Sequence, residues 1–298
     1  MSDGGHGLYV FDITDPHTPT WVATGFDLGY AGYGVAAAGG YLYVVTGNGG
    51  AEIHVYDIVD PASLNVDDRV STINVPASAK ARSLVVFGDT LFVASLEDAT
   101  EKELFAYDIA TPASPVLLGS LEDTGSSFTG IGLRNGYTYL SNTSDTAELR
   151  VVDVFDPANM QLAPGGGYNV ADTPNANAVA AVGGYVLLSR DAGDVTEELH
   201  LFDVSSVPVP ASAPWNHEVG AVASGLAADL TASYGFVATG NSSKELVVVD
   251  LARFAAGQNP EVASYDTTTG AGRGVTYSIS HDRVFLLTNK AFIVIKPG

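Results

Sequence analysis

Aspartate is the residue this chain repeats most conspicuously, always at the end of a β-branched and aromatic stretch. The copies are VFDITDP ending at Pro16, VYDIVDP at Pro61, AYDIATP at Pro112 and VVDVFDP at Pro157. Weaker copies follow: LFDVSS around Asp203, VVVDLA around Asp250, and a terminal FIVIKPG in which Lys296 takes the aspartate's place. Carboxylates in this number could ligate metals or move protons. A group present in equivalent copies along a whole chain is better suited to closing turns, its side chain accepting backbone N–H groups ahead of Asp-Pro. A turn-stabilising role is therefore expected for Asp12, Asp57, Asp108, Asp153, Asp203 and Asp250.

Other reactive types fail on spacing or context. The six histidines stand at positions 6, 17, 54, 200, 217 and 281, and His217-Glu218 has no second histidine at metalloprotease distance. His54 and His200 fall at nearly equivalent places near the start of repeated stretches, which marks a recurring strand position. The acidic runs Glu97-Asp98-Ala99-Thr100-Glu101 and Asp191-Ala192-Gly193-Asp194, with Glu197-Glu198 beyond, offer oxygen ligands of the kind Ca²⁺ takes, but none follows a calcium-loop pattern and a solvated face is expected. Gly270-Ala271-Gly272-Arg273-Gly274 leads into a strand, so no helix N-terminus awaits a phosphate. Asn142-Thr143-Ser144 and Asn241-Ser242-Ser243 are glycosylation sequons expected on exposed loops. No Gly-x-Ser-x-Gly elbow is present, and the absence of cysteine removes thiolate nucleophiles, disulfides and thiolate metal sites together.

Composition narrows the partners. Across 298 residues, 13 Lys and Arg face 34 Asp and Glu, a net charge of −21 that repels nucleic-acid phosphates and anionic lipid. Hydrophobic residues at 46% and charged residues at 16% suit a large buried core. The longest apolar run, Ala178 to Leu188, is broken by Gly183-Gly184 and is too short to span a bilayer, so neither nucleic-acid binding nor membrane insertion is expected.

The spacing of Asp12, Asp57, Asp108, Asp153, Asp203, Asp250 and Lys296, at 45, 51, 45, 50, 47 and 46 residues, is that of one supersecondary unit repeated. Within a unit every segment reads as strand, with short alternating apolar runs bounded by Gly, Asn, Asp and Pro. An inner strand from Gly34 to Ala38 turns at Gly39-Gly40 into Tyr41 to Val45; Ile53 to Ile58 forms a third strand and Val70 to Val75 an outer one. The same order starts again at Ser83, Gly130, Ala178 and Gly225, and no segment carries helical periodicity over two turns. Four short strands per unit predict an all-β propeller of four-stranded antiparallel blades, forming a single domain over residues 1–298.

The repeated elements, small-Gly-Val-Ala-x-x-Gly, Tyr-x-Tyr-Val and x-Val-x-Asp-Val-x-Asp-Pro, resemble the LVIVD repeat family of propeller modules in bacterial and archaeal surface proteins. The resemblance covers nearly the whole chain and implies an extracellular or cell-surface setting, which the Asp-over-Glu bias also fits.

Seven third strands but six inner pairs and six outer strands can be traced, so seven blade positions with incomplete first and last blades are expected, a six-bladed ring being the alternative. On this reading Met1 is internal, roughly 30 or more residues and a signal peptide precede it, and open blade edges invite self-association.

One set varies while its neighbours repeat. Tyr33, Arg82, Thr129, Asn177, Ser224 and Arg273 stand at the start of successive inner strands, where a propeller places residues around the mouth of its channel. Arg82 and Arg273 are its only cations and would offer guanidinium forks to a carboxylate or sulfate. The expected function is a non-enzymatic surface or secreted module binding a protein or glycan, with no catalytic residue and no required cofactor. A propeller hydrolase or lactonase with a Ca²⁺ site at the channel mouth is the alternative.

Overall fold

In the computed structural model, described for residues 7–76, 80–96, 102–170, 174–191, 197–206, 208–210, 213–229, 231 and 233–296, the chain forms 25 strands in seven antiparallel sheets. The first sheet holds β1 (Gly7–Asp12) and β2 (Thr20–Asp27). The second holds β3 (Gly32–Ala38), β4 (Tyr41–Thr46), β5 (Ile53–Asp57) and β6 (Arg69–Ile73), and the third β7 (Lys80–Phe87), β8 (Thr90–Leu96), β9 (Leu104–Asp108) and β10 (Val116–Leu121). The fourth holds β11 (Phe128–Arg134), β12 (Tyr137–Asn142), β13 (Leu149–Asp153) and β14 (Gln161–Tyr168), and the fifth β15 (Ala176–Val182), β16 (Tyr185–Arg190), β17 (Leu199–Asp203) and β18 (Trp215–His217). The sixth holds β19 (Ala223–Ala228), β20 (Tyr234–Thr239), β21 (Leu246–Asp250) and β22 (Glu261–Tyr265), and the seventh β23 (Gly272–Ser278), β24 (Arg283–Thr288) and β25 (Phe292–Ile295).

These are the blades of a β-propeller, in the strand order the repeat predicts: five complete sheets, a first holding only third and fourth strands, and a last lacking its fourth. Strand order runs consecutively because each turn joins hydrogen-bonded neighbours. Gly39 and Gly40 have φ of 59° and 83°, Asn135 and Gly136 of 49° and 77°, the left-handed pair a two-residue hairpin needs.

Two compact units divide the chain, Met1–Ile131 with Val154–Gln161, and Gly132–Asp153 with Leu162–Gly298. In the first unit, Tyr43, Val45 and Val55 of the second sheet interlock with Leu91, Val93 and Phe105 of the third. In the second unit, Leu187 and Leu201 of the fifth sheet pack with Val237 and Val247 of the sixth, and Phe236 and Leu246 with Val284 and Leu286 of the seventh. A sheet sandwiched on both faces needs apolar residues throughout its middle strands, which is why β5, β9 and β17 lack polar–apolar alternation and are buried from Ile53, Leu104 and Leu199 onward.

The repeated aspartates act as turn formers. The carboxylates of Asp12, Asp57, Asp108 and Asp203 accept the N–H two residues on, at 2.8 to 2.9 Å, and Asp15, Asp60 and Asp156 of the Asp-Pro pairs do the same at 3.0 to 3.1 Å. Asp250 departs from this pattern. Its carboxylate accepts the Arg253 N–H at 3.0 Å and caps a five-residue helix, α1 (Leu251–Ala255), absent from the strand-only expectation. The Asp250 copy has Phe254 where the Asp-Pro copies have proline, so no proline bars a helical turn there; the Asp203 copy lacks the proline too and keeps the ordinary turn. No helix among the described residues is long and apolar enough to cross a membrane.

Candidate functional site

A local construction recurs at the start of the inner strands, seen in full at β3, β15, β19 and β23. The residue following the last polar position of the second strand donates its N–H to a carbonyl two residues before the variable position: Gly47 to Ala31, Asp191 to Asn175, Gly240 to Val222 and Asn289 to Ala271, at 2.8 to 3.0 Å. A buried small residue comes next in five of the six inner strands, Gly32, Ala81, Ala176, Ala223 and Gly272, and the buried Phe128 stands there in β11. Pairing with the second strand then skips one residue. The skip falls between Gly32 and Gly34, Ala81 and Ser83, Ala176 and Ala178, Ala223 and Gly225, and Gly272 and Gly274. The skipped residues are Tyr33, Arg82, Asn177, Ser224 and Arg273, five of the six variable positions expected from the sequence. Thr129 is the sixth, in the corresponding place on β11.

A bulge places two residues opposite one and re-aims the extra side chain, so these positions are freed from the demands of the ladder. That explains why their identities vary inside a constant frame. The frame itself is tight: a Cβ on Gly225 would lie 2.9 Å from the Cα of Gly274 on the adjacent strand β23.

In the first unit, the Arg82 guanidinium lies 4.1 Å from the centre of the Tyr33 ring, a cation–π contact between adjacent inner strands. Tyr33 is 45% exposed and its hydroxyl borders Gly47, where a Cβ would come within 3.4 Å of it. The pair offers an aromatic face and a cationic edge together. In the second unit, β15, β19 and β23 run side by side and carry Asn177, Ser224 and Arg273. The Asn177 amide donates to the Asp191 carboxylate at 2.8 Å, while Arg273 is exposed.

A second constant element escaped the sequence reading. Glu52, Glu103, Glu148, Glu198 and Glu245 stand five residues before the repeated aspartate in every complete sheet, and each is 1 to 2% exposed. Their carboxylates accept the N–H of Val75, Asp123, Val170, Val219 and Thr267, at 2.6 to 3.0 Å, in the segment leading to the next inner strand. Each glutamate thus fixes the approach to the next bulge. The signal was in the spacing, since the first and last units have Gly7 and Ala291 at this place.

Glu198 corrects the solvated-face expectation for Glu197-Glu198: its side chain is buried. Burial raises its carboxyl to about 7, helped by Glu218, whose carboxylate shares the Gly220 N–H with it. Burial also raises Glu148. The runs 97–101 and 192–194 lie outside the described residues, as does His6. Among the described residues no group of three His, Asp or Glu side chains is arranged to hold a metal ion.

His54 and His200 occupy the same strand position, second in β5 and β17, and both are 1% exposed. Burial lowers each to about 4. His54 Nδ1 lies 3.2 Å from the Tyr56 hydroxyl, and His200 Nδ1 lies 2.8 Å from Asn216 Oδ1. Because Arg190 Nη1, 3.5 Å from His200 Nε2, can only donate, the neutral ring carries its proton on Nδ1. These are core groups. Asn142 is another: it is fully buried and its amide donates to the Ala147 carbonyl, so the first sequon is not on an exposed loop.

The family model for the LVIVD repeat matches residues 29–72 and 78–123, the second and third sheets with their connections. Among curated proteins none matches the chain significantly in sequence. Solved structures of similar fold include a chain of a mitotic checkpoint complex, 12% identical, TM-score 0.70, covering 98% of this chain and 84% of that one. Another is a chain of a COPII outer coat vertex on membranes, 7% identical, TM-score 0.71, covering 97% and 76%. A computationally designed protein, 13% identical with a TM-score of 0.59, covers 90% and 71%. At these identities the likeness is one of fold.

Proposed function

We propose that this chain is a non-enzymatic recognition module, acting outside the cell or at its surface, which binds a protein or glycan through the bulged residues of its inner strands. The observation that carries the reading is the recurrence of one bulge, in one place, on five inner strands whose bulged residue varies among tyrosine, arginine, asparagine and serine while buried glutamates and small residues hold the frame. Variation confined to re-aimed side chains is the signature of recognition. Tyr33 with Arg82 in one unit, and Asn177, Ser224 and Arg273 in the other, suit ligands presenting acidic groups beside flat apolar or sugar faces, since an aromatic ring and a forked cation recognise that combination. The fold likeness to chains of a mitotic checkpoint complex and a COPII coat vertex is in keeping with such a role.

The test is an array of glycans, including sulfated and uronic-acid-containing ones, together with acidic peptides, probed with the native chain and with Arg82→Ala and Arg273→Ala. Selective binding that at least one variant weakens supports the proposal; selective binding untouched by both places recognition elsewhere. Calcium titration separates the hydrolase reading: a calorimetric Ca²⁺ signal with a melting-point rise that EDTA reverses would favour a propeller hydrolase or lactonase over a binding module.

A further inference from the structure

In the second, third, fifth and sixth sheets the inner strand runs from its bulge to the tight turn joining it to the second strand, so bulges and these turns lie at opposite ends. The turn after the third strand lies at the far end too, because Ile58 donates to the Gly40 carbonyl at 2.9 Å and Ile109 to Asp89 at 2.8 Å. Within the first unit this far end is unusually apolar for a solvent-facing surface. Val59 is 85% exposed, Phe87 66%, Phe155 69% and Val116 57%, with Leu117 and Val70 beside them on the outer strands.

These side chains lie on turns and strand ends of the second, third and fourth sheets, which are linked to one another. Ser71, next to Val70, donates its hydroxyl to the Pro112 carbonyl at 2.6 Å, tying β6 to the third-strand turn of the next sheet. On the far side of that sheet, Gly119 of β10 packs against the backbone of Pro157 and Ala158, so closely that a Cβ would overlap it; this is the turn that carries Phe155. Val59, Phe87, Val116 and Phe155 therefore ride on turns and strand ends already locked together. Exposed apolar groups gathered in this way mark a contact surface.

The charges around them define what fits. Asp60, Asp67, Asp89 and Asp156 are exposed among the same turns, Asp57 and Asp108 sit at the strand ends, and Arg69 is the one cation in the described segments 57–69, 87–90, 108–116 and 154–161. Apolar tips inside an acidic surround repel a second copy of a chain with net charge −21 and attract the opposite arrangement. We infer that the turn-bearing end of the first unit, built from Val59, Phe87, Val116 and Phe155, is a docking surface for a protein partner that presents apolar side chains ringed by lysine and arginine. The surface lies at the end of the sheets away from the bulges, so a glycan or acidic ligand can occupy the bulges while such a partner is bound.

The test uses a fluorescent amphipathic Leu/Lys peptide and an oligolysine of equal charge, titrated with the full chain at low and physiological salt. The Leu/Lys peptide is expected to bind more tightly than oligolysine. A Val59→Ser/Phe87→Ser/Val116→Ser variant of unchanged melting temperature should lose about tenfold of that affinity, whereas Arg82→Ala should not. Phe87→Ser alone serves should the triple variant lose its fold. Equal binding of the two peptides, or equal binding by native and variant chains, overturns the inference. So does a native dimer in sedimentation equilibrium that the variant dissolves, for the occupant would then be a second copy.

Discussion

Replacing Gly225 with alanine should damage the second unit, while replacing its neighbour across the strand gap, Gly274, should not. A methyl on Gly225 would lie 2.9 Å from Gly274 Cα and 3.4 Å from both the Arg273 carbonyl oxygen and the Val275 nitrogen, all of them backbone atoms that no rotamer change can move aside. A methyl on Gly274 meets nothing within 4 Å, and neither glycine has positive φ. Overpacking against backbone costs about 1–3 kcal/mol, whereas a glycine-to-alanine change at an unstrained, open position gains about 0.4–1 kcal/mol by restricting the unfolded chain. For a unit of this size Gly225→Ala should lower the melting temperature by about 3–10 °C, and Gly274→Ala should leave it unchanged or slightly raised. Urea titration followed by tryptophan fluorescence supplies the free energies, with differential scanning fluorimetry as the thermal check. Because Ser224 is the bulged residue beside Gly225, the first variant should also disturb the bulge. A Gly274→Ala cost equal to that of Gly225→Ala would refute the close approach of β19 and β23 on which the reasoning stands.

Glu103→Ala should cost about 2–3 kcal/mol in urea titration, because it strands the buried Asp123 N–H, and Glu103→Gln should recover part of that loss. His54 and His200, held near 4 in the fold, bind fewer protons than the unfolded chain between about pH 4 and 6.5; stability should therefore fall as pH drops through that window, by up to about 3 kcal/mol for each, and His200→Asn should flatten the dependence. Glu198 has the opposite sign: raised to about 7 from its ordinary 4.5, it favours the fold at low pH and should cost stability as pH climbs from about 4.5 to 7, so Glu198→Gln should flatten that fall in stability.

How far the sequence reaches can be judged from particular residues. The seven third strands, the glycine turns and the aspartates that close them are local events, set by side chains acting on backbone within a few residues, and they were legible. The bulges were half legible: Tyr33 and its counterparts stood out by varying, but a bulge is a mismatch of count between two strands and appears only once their register is known. The glutamate clamp was missed for a different reason. Its acceptor role joins Glu52 to Val75, 23 residues apart, and an acidic residue beside a loop reads as solvated until the loop is seen to fold over it. Asn142 misled in the same way, since the sequon's amide serves the Ala147 carbonyl inside the sheet end.

The central claim is that recognition resides in the bulged inner-strand residues. The most direct measurement compares ligand-array profiles of the native chain with those of one variant carrying Tyr33→Ala, Arg82→Ala, Thr129→Ala, Asn177→Ala, Ser224→Ala and Arg273→Ala together. Because these side chains stand outside the packed core, the variant is expected to melt within a few degrees of the native chain while losing its selective ligands. Native-like melting with an unchanged ligand profile would contradict the claim.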